Sequence, residues 1–107
     1  MSASIKSARS EIVLAVDTAD DVAKSEVVEA LAEAVQHETA LAKARRDEYL
    51  QECQTFEARY ELHSDEFLVK YASGELGDDA DFVEWLFVKD AHDKWDRRYR
   101  ILNAVSV

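Results

Sequence analysis

The chain has 107 residues, 23 Asp and Glu against 13 Lys and Arg, and a formal net charge of −10 at neutral pH. This is the length of one small domain, which buries a modest share of its surface unless it self-associates. Its 48% hydrophobic content argues against wholesale disorder, and no apolar run approaches the roughly 20 residues of a membrane span.

The opening Met1 to Lys6 has no charged segment followed by an apolar core, so it does not read as a signal peptide. Cys53 stands alone, which precludes an internal disulfide and fits a reducing compartment. The expectation is a soluble, cytoplasmic protein. The acidity admits three readings that do not exclude one another: an ordinary Glu- and Asp-rich helical surface, an extreme-salt cytoplasm, or a basic partner whose encounter the negative field would speed. It disfavours whole-surface binding of nucleic acid, which depends on cations neutralising phosphates.

Residues 1–17 form an N-terminal arm that differs from the rest. Glu11 to Asp17 is a short apolar run with β-branched Ile12, Val13 and Val16, which suits a strand, although Ile5, Ile12 and Val16 also fit one helical face. A single strand needs a partner chain, most simply a second copy in an antiparallel ribbon.

From residue 18 the chain reads as one helical domain. Thr18 to Asp21 resembles a helix start and Ser25-Glu26 offers a second. The pattern then runs unbroken to about Leu62. Val28, Val35, Ala42, Tyr49 and Phe56 recur every seven residues, with Ala32, Thr39, Cys53 and Tyr60 on the adjoining edge. Glu38, Arg45 and Glu52 occupy the companion seam of a strict coiled coil, so the spacing predicts a long amphipathic helix packing on a neighbour. A helix of about 37 residues would extend near 55 Å, more than one shorter helix can cover. That points to a homodimer in which Ile12, Val16, Val28 and Val35 supply much of the contact.

Ser64 reads as the N-cap of a short helix over Asp65–Ser73, carrying Phe67, Leu68 and Tyr71, with Gly74 as its left-handed stop. Gly74 and Gly77 are the only glycines and there is no proline, so Gly74–Asp79 is the main break. Asp78 or Asp79 caps a last helix over about Ala80 to Asn103. Its stripe places Trp85, His92 and Tyr99 at one heptad position and Val88, Trp95 and Leu102 at the other, extended by Phe82. The fold expected is all-α: an antiparallel helical hairpin, long–short–long, with a short N-terminal strand.

No residues make a convincing catalytic or metal set, and no cofactor is expected. Asp78-Asp79-Ala80-Asp81 lacks the spacing and terminal Glu of a calcium loop. None of His37, His63 and His92 has a Glu three residues before it, as a carboxylate-bridged di-metal site requires. Cys53 with His63 or His92 is the only nucleophile–base option, and Cys53 falls on the buried edge of its helix, where a small apolar role is commoner. Two basic clusters, Lys43 to Arg46 and Lys94 to Arg100, would lie at a similar height in a hairpin. They form either an anion-holding belt or cations screened by nearby acids, the reading favoured here.

Three runs carry a resemblance as a unit: Cys53 to Tyr60, Ser64 to Lys70 with its Ser-x-Glu-Phe, and Gly74 to Trp85 with Gly-Glu-Leu-Gly-Asp-Asp and Phe-x-Glu-Trp. Over about residues 40–102 the chain resembles small helical proteins of archaea and bacteria associated with toxin–antitoxin gene pairs, on the antitoxin side. The resemblance implies a non-enzymatic protein that binds and neutralises a basic toxin. Residues 64–85 also hold more large apolar groups than a short turn requires, ringed by acids. Phe67, Tyr71, Leu76, Phe82 and Trp85, with Asp78 and Asp79, are therefore the residues expected to face a partner. Locking the hairpin turn is the competing role, favoured for Phe67 and Trp85, and partner contact is favoured for Tyr71 and Leu76. A helical homo-oligomer without a toxin is the alternative. A third reading comes from Lys24 to Val28, which resembles the second-helix opening of ribbon-helix-helix repressors. It would make the arm a DNA-binding ribbon, but the first helix of that fold has no counterpart.

Overall fold

The computed structural model describes residues 21–105, and every described secondary-structure element is helical. Three helices follow one another: α1 (Asp21–Tyr60), α2 (Ser64–Ala72) and α3 (Ala80–Asn103). The expected order of long, short and long helices is present. Glu11 to Asp17, the expected strand, lies outside the described residues, as do Ile12 and Val16. Two compact units divide between Gln36 and His37.

The first unit, over its described residues, consists of the opening turns of α1. Val22 is 70% and Val28 is 45% exposed, while Val35 is half-buried.

The second unit holds the core. Cys53, Phe56, Phe67, Trp85 and Val88 are buried together, and Tyr49, Tyr60, Leu62, Leu68, Tyr71, Leu76 and Phe82 pack against them. Apart from Leu62 and Leu76, which come from the two connections, these residues belong to the apolar stripes of α1 and α3 and the apolar face of α2. Periodicity alone therefore anticipates the packing face. Burying a large apolar side chain stabilises by about 1.5–3 kcal/mol, so a handful of rings carries much of this small fold.

The helix ends explain the connections. Glu61 adopts φ +50, and Leu62 N–H donates to the Glu57 carbonyl at 3.2 Å. This is a left-handed termination built on a residue other than glycine, so the pattern's expected end near Leu62 falls at Tyr60. Glu57 then secures the link a second time, because its carboxylate accepts the Ser64 N–H at 2.8 Å.

The cap of α2 corrects the sequence expectation. His63, not Ser64, is the N-cap: its Nδ1 accepts the Asp65 N–H at 3.3 Å. Ser64 is the first helical residue, and the helix covers Ser64–Ala72 instead of Asp65–Ser73. Gly74 behaves as expected, with φ +81. Its N–H donates to the Tyr71 carbonyl and Glu75 N–H to that of Lys70, both at 3.1 Å, the paired bonds of a Schellman stop. Asp79 caps α3, accepting the Asp81 N–H at 2.9 Å.

Candidate interaction surface

The region from Ser64 to Trp85 holds all seven residues expected to face a partner, and its aromatic groups take different places in the structure. Trp85 is fully buried. Its ring lies face to face with Phe67, centroids 4.0 Å apart and planes at 6°. Phe56 and Tyr60 stack on it at 5.7 and 5.8 Å. An indole N–H in such a place needs an acceptor, and it donates to Ser64 Oγ at 2.9 Å. That bond is why Ser64 is buried and unavailable for capping.

Phe67 and Trp85, both at 0% exposure, are therefore interior groups and not surface anchors. Phe82 is half-buried between the Tyr60 and Phe67 rings, at 5.1 and 5.9 Å. Tyr71 leans on Phe67 at 5.6 Å, and Leu76 packs partly against the same cluster. Of the seven residues expected to meet a partner, Tyr71, Leu76 and Phe82 keep partial access, and Asp78 and Asp79 are exposed. Asp79 is already committed to its cap.

Asp81 joins the end of α1 to the start of α3. Its carboxylate accepts from the Tyr60 hydroxyl and from Arg59 Nη1, the latter at 2.7 Å. The Tyr60 hydroxyl bond, and then Arg59, hold the Asp81 carboxyl below its ordinary range. The same bond pushes the Tyr60 phenol up.

The acids around this end are different. Glu66, Glu75, Asp78 and Glu84 are exposed and have no ion-pair partner among the described residues.

The two basic clusters do meet. Arg46 lies over the Tyr99 ring at 4.5 Å and 3.6 Å from the Asp96 carboxylate. Most of their cations are answered by the chain's own acids: Arg45 by Glu48, Arg98 by Glu38, Arg100 by Asp96 and Lys94 by Asp90. The screened reading of the belt fits this geometry.

Cys53 is 3% exposed, and burial pushes its thiol up, against the lowering influence of Ser64, the reverse of what a reactive thiolate needs. His92 is turned to Asp93, Nδ1 to Oδ1 2.9 Å. Lys89 bridges Asp65 and Asp93 at 3.2 and 2.9 Å. No group of three or more His, Cys, Asp or Glu among the described residues could hold a metal ion, and no described helix is long and apolar enough to cross a membrane.

The sequence reading missed a second set of apolar residues. Val69, Val83, Phe87 and Ile101 are 71, 52, 64 and 56% exposed. The signal was available in α3, where apolar residues fall on the side opposite the Trp85 stripe as well as on it. Comparison with family models, curated proteins and solved structures finds no match for the chain.

Proposed function

We propose that this chain is a non-enzymatic helical protein-interaction module, antitoxin-like in role, that captures a basic partner through the acidic end formed by α2 and the start of α3. The observation that carries the reading is the set of unpaired acids there. Glu66, Glu75, Asp78 and Glu84 lack cations among the described residues, while most cations of the basic clusters are answered. Uncompensated charge of one sign steers an oppositely charged partner and raises its association rate. Half-buried Tyr71 and Leu76 supply apolar contact beside that charge.

The arrangement that presents this end is an antiparallel hairpin. The order of contacts supports it: Tyr60 meets Asp81, Phe56 meets Trp85, Arg46 meets Asp96, and Glu38 meets Arg98. The toxin identity rests on the sequence resemblance. The working form is a homodimer.

The test is neutralisation in cells. A basic protein that co-purifies with the chain from its native host should arrest growth when expressed alone, and coexpression of the chain should relieve the arrest. Reversing Glu66, Glu75 and Asp78 to lysine should abolish the relief while leaving the circular dichroism unchanged. A co-purifying protein that is harmless, or full relief by the triple variant, would refute this reading.

A further inference from the structure

The side of α3 away from the core is not a solvated polar face. Val83, Phe87, Asp90, Lys94, Arg97 and Ile101 succeed one another at intervals of four, three, four, three and four residues, the spacing of a heptad seam. Its apolar members are more than half exposed: Val83 52%, Phe87 64% and Ile101 56%. The Asp90 and Lys94 side chains are 62 and 75% exposed. A helix with apolar groups on two opposite faces has one face still to cover.

The order of residues along the seam says what covers it. The level of His92 is its midpoint, and about that point the seam is complementary to itself when reversed. Val83 stands as far before His92 as Ile101 stands after it; Phe87 corresponds in this way to Arg97, and Asp90 to Lys94. We infer that the outward face of α3 is a self-association surface, on which α3 of a second copy of this chain packs antiparallel about a twofold axis at the level of His92.

In that register all three kinds of cross-pair are favourable. Val83 meets Ile101 of the second copy, an apolar pair. Phe87 meets Arg97, a guanidinium with no ion pair among the described residues, so that its charge can rest on the ring. Asp90 meets Lys94. Within one chain these two already pair at 2.8 Å, and the dimer makes them an alternating set of four charges.

The trough that would receive Phe87 already exists. Lys94, Trp95, Arg97, Arg98, Ile101 and Leu102 line an open hollow of about 590 Å³, with apolar floor and cationic rim. The parallel alternative sets Asp90 on Asp90, Lys94 on Lys94 and Arg97 on Arg97, like charges throughout, so charge selects the antiparallel form. The seam runs about 27 Å at 1.5 Å per residue. With half of its positions charged, it makes a dimer that salt weakens.

This inference rests on the self-association part of the function proposed above and is independent of the toxin. It also places the contact on α3, not on Val28 and Val35. Sedimentation equilibrium of the full chain reads it directly. The parent should show a two-chain mass that declines with added salt. Asp90→Lys sets lysine against lysine across the axis and should lower the mass to one chain while the helical circular dichroism is unchanged, because both groups are exposed. The swap Asp90→Lys with Lys94→Asp should restore the dimer.

Register has its own readout. Val83→Cys with Ile101→Cys should give a covalent dimer on oxidation, and Val83→Cys alone should not. A one-chain mass for the parent, a dimer indifferent to Asp90→Lys, or cross-linking by Val83→Cys alone would each overturn the inference. A one-chain parent mass would also remove the homodimer from the function proposed above, whereas the other two outcomes overturn the α3 seam alone, and none of the three bears on growth neutralisation.

Discussion

Phe67→Ala probes the core at its tightest point. Phe67 has no exposed surface, and its ring faces Trp85 at 4.0 Å with Tyr71 and Phe82 on its flanks. Truncation removes the transfer energy of the ring and leaves a cavity, together about 3–5 kcal/mol for a buried Phe. Of that, about 0.5–1.5 kcal/mol belongs to ring pairing beyond area. A small domain holds only about 5–15 kcal/mol in total, so this one change should consume a large part of it. Val69→Ala, two residues along the same helix but 71% exposed, should stay within about 0.5 kcal/mol. Urea unfolding followed by circular dichroism and tryptophan emission measures both, and the native emission, which sums Trp85 and Trp95, should also shift as one face of Trp85 is uncovered. A loss below about 1.5 kcal/mol for Phe67→Ala, or an equal loss for Val69→Ala, would mean that the rings do not organise the fold.

Two helix ends should respond with opposite signs. Gly74 has φ +81 and nothing within 4 Å of a Cβ added there, so Gly74→Ala meets only backbone strain and should destabilise by about 1–2 kcal/mol. Glu61 holds φ +50, and Glu61→Gly should raise stability by about 1 kcal/mol; thermal melting that moves the two in the same direction would contradict these termini. The Tyr60–Asp81 bond should define a pH plateau. Asp81 is lowered, so its contribution is complete above the ordinary carboxylate range and lost as pH falls through the folded value. Tyr60 is raised, so its contribution is complete below the ordinary phenol range and lost as pH rises through the folded value. Tyr60→Phe should flatten both limbs of melting temperature against pH, and a profile superimposable on the parent's would refute the assignment.

Much of this protein was legible in one dimension. The heptad stripes of α1 and α3 are properties of spacing, and a helix with one apolar face has to bury it; the residues nominated there, Phe56, Trp85 and Val88, are buried. Gly74 announced the end of α2 because a left-handed residue without strain is almost always glycine. Glu61 announced nothing, because a non-glycine residue in that conformation is held by its surroundings, here the two bonds to Glu57. Ser64 was misread for a similar reason. Its identity suits a cap, but the competing use of its hydroxyl is a buried indole 21 residues away, and no local rule weighs a distant partner. The large apolar residues of 64–85 could be counted in the sequence, yet only packing decided that Phe67 and Trp85 turn inward while Tyr71 and Leu76 keep a share of solvent. Spacing specifies which residues can share a face, whereas which face is covered depends on what folds against it. For α3 that distinction is the whole matter: both of its apolar faces are written in the sequence, and tertiary structure chose one for the core and left the other exposed.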